Sequence, residues 1–169
     1  MVQSHSMNRA MSAPTLSFET DDQVKGRGLA LVDCPVEQDR AYWEWRVDQT
    51  ASQGSMFMFG VSNKRNQTFF TILGESTIPP EKHGTKFMAS VEGLKEGDVV
   101  GVAVQQSDIP MIRIFVNGEE SSASVAKFRG SCYPAIFLRN AGVTFLSRED
   151  QLHSIPAGWD PLIAERSLV

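Results

Sequence analysis

Cysteine is scarce in this chain: Cys34 and Cys132 are the 2 thiols among 169 residues. They could form one bridge at most and stand at no metal-ligand spacing, so they read as free thiols in a reducing, cytoplasmic setting. An excess of positive charge is also missing. With 16 basic side chains against 20 acidic ones, the net charge is −4, and no basic field is available to hold a nucleic-acid backbone. No run approaches the ~18 consecutive apolar residues of a membrane span, so no membrane partner is expected. Apolar residues at i, i+3, i+4 and i+7 are absent as well, which removes helices as the main building element.

Chemistry-bearing motifs are equally sparse. His5, His83 and His153 are scattered, none with the flanks of a nucleophile motif, and there is no Gly-x-Ser-x-Gly. Gly26-Arg27-Gly28 lacks the third glycine and the following helix of a phosphate loop, and is expected to make a turn before a strand. The acidic pairs Asp21-Asp22, Glu119-Glu120 and Glu149-Asp150 read as loop charge, because no spaced Asp/Asn pattern gathers the oxygens that Ca²⁺ needs. The sequence therefore points to no enzyme, with no catalytic residue, no metal site and no cofactor.

Short alternating runs fill the chain instead. Ala41–Asp48 puts Trp43, Trp45 and Val47 on one face and Tyr42, Glu44, Arg46 and Asp48 on the other, the pattern of a strand with one wet side. Ser55–Ser62 is apolar on both faces and is expected at the centre of a sheet, and Thr68–Leu73 carries β-branched and aromatic residues. Val100, Val102 and Val104 share a face opposite the small Gly101 and Ala103; Ile112, Ile114 and Val116 follow in step. Asn117-Gly118 signals a tight hairpin. Tyr133–Leu138 and Val143–Leu146 read as two strands joined by Arg139–Gly142, and Trp159 is expected to pin the carboxyl-terminal stretch onto the fold. Many short strands punctuated by Gly and Pro indicate an all-β sandwich or barrel. Residues 1–14 lack the apolar core of a signal peptide and are expected as a disordered tail, with residues 15–169 forming a single domain.

Several of these pieces, taken in order, resemble the SPRY domain, the core of the B30.2 module. They are Tyr42-Trp43-Glu44-Trp45, Phe59-Gly60-Val61, Glu96-Gly97-Asp98-Val99-Val100-Gly101, Phe115-Val116-Asn117-Gly118 and Tyr133-Pro134. The resemblance runs from about Gly28 to Phe145; Phe128–Pro134 and Pro156–Ile163 narrow it towards small stand-alone members. It implies a bent antiparallel β-sandwich of the concanavalin-like jelly-roll kind. It further implies a non-catalytic module, expected as a monomer, whose loops at one end bind another protein through an extended peptide segment. The loops that match are Ala30–Cys34, Ser62–Thr68 and Arg139–Ala141. Within them Asn63, Arg65, Asn66, Arg139 and Asn140 are the expected partner contacts, with Val32 as an apolar one. The alternative is a lectin-like jelly roll that binds glycans, which would need an exposed Trp or Tyr beside acidic or amide groups.

Overall fold

Alternation of β-branched and aromatic residues builds ten strands, described here from a computed structural model. The structure describes Met7, Ser12 and residues 15–51, 53–62, 86–107, 109–126, 132–146 and 148–162. In chain order the strands are β1 (Leu16–Phe18), β2 (Gln23–Leu31), β3 (Arg40–Thr50), β4 (Met56–Ser62) and β5 (Lys86–Ser90). They continue with β6 (Val99–Gln105), β7 (Met111–Val116), β8 (Glu119–Ala126), β9 (Tyr133–Leu146) and β10 (Asp160–Pro161). The main path of hydrogen-bonded neighbours is β1-β2-β9-β3-β6-β7-β8, while β4 pairs with both β5 and β9. All pairings are antiparallel except the short β10 on β3.

β9 serves two layers. Its first half, Tyr133–Arg139, pairs with β4; its second half, Ala141–Leu146, pairs with β3. The core lies between those layers. Trp43, Trp45, Val100, Val102, Val104, Ile112 and Ile114 enter it from one side, and Phe57, Phe59, Val61, Ile136 and Leu138 from the other. Val100, Val102, Val104, Ile112 and Ile114 are fully buried, as their spacing predicts, whereas Val116 at the end of its row is half-buried. β4 is central in its layer, also as expected, with Met58 on the opposite face in a smaller cluster with Leu29, Leu31, Met88, Ala135 and Phe137.

Four expectations are corrected. First, Gly26-Arg27-Gly28 is not a turn before a strand but lies inside β2; Gly26 and Gly28 adopt φ of 120° and 137°, a distortion that glycine tolerates. Second, Arg139–Gly142 does not join two strands; β9 runs through it. Third, Tyr42 and Glu44 do not face water, being 2% and 0% exposed. The carboxyl-terminal stretch covers them: Leu152 and His153 donate backbone N–H groups to the Glu44 carboxylate at 2.7 and 3.2 Å, and the Tyr42 hydroxyl donates at 2.7 Å. The small-residue face of β6 receives the Tyr42 phenol, which a side chain at Gly101 would overlap. Fourth, Met7 and Ser12 are docked at their positions in the expected tail. Met7 bridges Val32, and the Ser12 hydroxyl accepts from Leu31 N at 3.1 Å. The strand expected over Thr68–Leu73 lies outside the described residues.

Trp159 does pin the carboxyl-terminal stretch. Its indole N–H donates to Val104 O at 3.1 Å, and the Arg40 and Arg113 guanidiniums lie 5.3 and 5.6 Å from its ring centroid.

Two stability predictions follow from this packing. Trp43→Ala leaves a large void in a fully buried site and should cost about 3–5 kcal/mol in a denaturant titration. Burial also pushes the Cys132 thiol from an ordinary 9.0 up to about 12, and it raises Tyr42, with the hydrogen bond to Glu44 and its charge adding to the effect. Both groups are neutral when folded and ionise more readily when unfolded. The Cys132 contribution is therefore complete below pH ~9 and is lost as the pH rises towards about 12, while that of Tyr42 starts to be lost only above its ordinary 10.0, each by up to ~1.4 kcal/mol per pH unit. Urea midpoints measured from neutral to alkaline pH should fall in that window, and Cys132→Ala should make the fall shallower.

Candidate functional site

The place where β9 changes partner is irregular, and the irregularity has a specific geometry. Against β2 the register runs Gly26↔Ala141 and then Arg27↔Arg139, so Asn140 is one residue too many. Asn140 takes φ of 52°, the left-handed conformation that asparagine accepts more readily than most side chains. The result is a β-bulge, a device that bends a strand and re-aims its side chains.

The β3–β4 connection is tied to this bulge. The Ser55 hydroxyl donates to Asn140 O at 2.7 Å and accepts from Ala51 N at 2.7 Å, while the Asn140 amide reaches Gly54 O at 3.4 Å. Gly54 turns the connection with φ of 84°. Beside it, the segment after β5 supplies Val91, Glu92, Gly93 and Leu94. Together these walls enclose an open pocket of about 410 Å³, with Met56, Phe57 and Leu94 as its apolar parts and Gln53, Glu92 and Arg139 as its polar ones. Arg139 is half-buried in the wall, and among the described residues no carboxylate lies within ion-pair distance of it.

A second hollow of about 450 Å³ opens on the outer face, lined by Thr20, Asp22, Arg46, Thr144, Asp150 and Leu152 among others. Its cation is already committed: Arg46 Nε lies 2.9 Å from Asp48 Oδ1, and another guanidinium nitrogen donates to Thr144 Oγ1 at 3.1 Å. A neutralised arginine has little left to offer a ligand, so the bend is the stronger candidate. Among the described residues, no group of three or more His, Cys, Asp and Glu side chains could hold a metal ion, and no helix is long and apolar enough to cross a membrane.

The expected contact residues divide. Arg139 and Asn140 meet at the bend, as strand residues rather than loop residues. Val32 must be withdrawn as a contact: it is 0% exposed, its N–H donates to Pro134 O at 2.9 Å, and Met7 covers its other edge. Asn63, Arg65 and Asn66 lie outside the described residues. Ser62, which precedes them, pairs with Tyr133, whereas Arg139 pairs with Met56 at the other end of β4, roughly 20 Å away at ~3.3 Å per residue. The residues missed from sequence are Gln53, Ser55, Glu92 and Leu94; the glycines at 54 and 93 were the available signal for the turns that carry them.

No family model matches the sequence. SPRY domain-containing protein 7 of Gallus gallus and of Homo sapiens are each 20% identical over 168 residues, covering 94% of this chain and 82% of the relative. The Neuralized NHR1 domain of Drosophila melanogaster superposes with a TM-score of 0.63 at 10% identity, covering 85% of this chain and 98% of that one. The SPRY domain of human HERC1 gives 0.62 at 12% identity, with 83% and 97% coverage. The TRIM65 PSpry domain gives 0.62 at 11% identity, with 85% and 90% coverage. With the strand order and the shared β9 already described, these likenesses make the fold that of the SPRY/B30.2 domains, an all-β antiparallel sandwich.

Proposed function

We propose that this chain is a non-catalytic protein-interaction module that takes an extended segment of another protein into the pocket at the β9 bend. The observation that carries the reading is Arg139: a half-buried guanidinium with no carboxylate partner among the described residues, set in a concave wall of the sandwich. Such a fork grips carboxylates and backbone carbonyls of a peptide, and the apolar floor of Met56, Phe57 and Leu94 suits one aliphatic anchor beside them. The SPRY names of the relatives and the fold of the structural neighbours point the same way. Asn63, Arg65 and Asn66 follow the far end of β4, so the proposal is centred on Arg139 and the segments 51–55 and 90–94.

The glycan-binding alternative gains nothing from the aromatic side chains. Trp43 and Trp45 are 0% exposed and Tyr42 is 2% exposed. Trp159 lies under two guanidiniums, and Tyr133 packs against the smaller apolar cluster.

The test separates binding from folding. Arg139→Ala should sharply reduce the proteins captured from a cell lysate, read by mass spectrometry, while the melting temperature stays within a degree or so of the parent, as for other surface changes. Undiminished capture would sink the site. Asn140→Val serves as the opposite control: a β-branched residue at φ of 52° is strained by about 1–3 kcal/mol and should lower the melting temperature, whereas Asn140→Gly should not.

A further inference from the structure

Arg139 has a neighbour that the pocket alone does not reveal. Across the β2–β9 ladder it stands directly opposite Arg27, which is exposed. Directly opposed residues of an antiparallel pair project from the same face with Cβ atoms about 4.5–5.5 Å apart, and like charges placed so repel. Among the described residues, neither guanidinium has an ion-pair partner. Three other cations of the sheet are paired. Lys25 pairs with Glu19 at 2.9 Å, Arg46 with Asp48 at 2.9 Å and Arg113 with Glu120 at 3.8 Å. In a chain with 20 acidic side chains and a net charge of −4, carboxylates are plentiful, yet none among the described residues neutralises this doublet.

We propose that Arg27 and Arg139, aligned by the Asn140 bulge, form a notch for the phosphoryl group of a phosphorylated side chain on the bound peptide. The chemistry favours phosphate over carboxylate. Each guanidinium is a planar fork with five N–H donors, and one carboxylate, with two oxygens, fills a single fork. A phosphoryl group brings three strong acceptor oxygens and a charge of about −1.5 to −2, enough to engage two forks at once and to cancel their mutual repulsion. Glu92, the carboxylate in the same pocket, opposes an anion and sets a limit on affinity. The proposal rests on the peptide-binding reading above and names the chemistry of its ligand.

The experiment titrates the full chain with a short capped peptide carrying one phosphoserine between leucines, followed by calorimetry and amide chemical shifts. Its serine and glutamate counterparts and inorganic phosphate are the other probes. The phosphoserine peptide should bind at least about ten-fold more tightly than either counterpart, with shifts at residues 26–28 and 138–141. Arg27→Gln and Arg139→Gln should each remove that preference, Arg27→Lys should retain part of it, and Glu92→Gln should strengthen binding. Inorganic phosphate should compete only at much higher concentration, since it forgoes the apolar floor. Equal binding of the phosphoserine and serine peptides overturns the notch, as does a preference that survives both glutamine variants. Lysate capture keeps the two readings distinguishable. If the phosphoserine preference is absent while Arg139→Ala still abolishes capture, the notch fails and the peptide-binding site stands.

Discussion

The molecule depends on one strand belonging to two layers. β9 gives its first half to β4 and its second half to β3, with β2 running along most of its other edge. Antiparallel pairing runs up to Arg139 and resumes at Ala141, so the two layers need no separate connection there. The cost is local. One residue must bulge out, and Asn140 accepts the left-handed backbone that this demands. That bulge is also what collects Ser55, Gly54, Arg139 and Arg27 at one point. Fold and candidate site share a single cause.

Burial of polar groups is handled by local satisfaction. Glu44 is wholly enclosed, a position that would be expensive for a bare carboxylate. Three donors meet it there: two backbone N–H groups from the carboxyl-terminal stretch and the Tyr42 hydroxyl. The same contacts fasten that stretch over β3, and Gln38, Leu162 and Trp159 add bonds to Pro161 O, Tyr42 O and Val104 O. A strand that would otherwise present a wet face becomes interior on both sides. The outer edge of β8 is guarded differently, by Glu119 and Glu120 and by a register shift that interrupts the strand as a template for further pairing.

Charge pairing then separates cations tied to neighbouring carboxylates from those that are not. Arg46, Arg113 and Lys25 are spent on neighbouring carboxylates. Arg40 and Arg113 flank Trp159, where they help hold the last stretch of chain. Arg27 and Arg139 alone among those discussed stand close together with no such duty. A pocket of about 410 Å³ is small, so binding energy there must be concentrated in a few contacts. The pocket offers the Arg139 guanidinium beside an apolar lining of Met56, Phe57 and Leu94.

How far the sequence reached can be stated residue by residue. Period-two alternation fixed β3, β6 and β7 and named their core-facing residues, because side chains alternate strictly and the burial of Trp43, Val102 and Ile114 admits only one register, while the doubly apolar run of β4 marked it as central. The ordered motifs from Tyr42 to Pro134 carried the fold class. β8 was invisible, since Glu119–Ala126 is too polar and too small to show a pattern, and β2 was masked by its glycines. Arg139 and Asn140 were legible as candidates, but their company was not. That Val32 is buried, that Glu44 is covered and that Arg27 faces Arg139 across a ladder follow from pairings between segments far apart in the chain. Local propensity acts over a few residues, whereas a cross-strand neighbour is chosen by the whole sheet. The sequence by itself determined the strands and the character of the core; only the tertiary structure decided which polar groups meet, because that depends on where β9 bends.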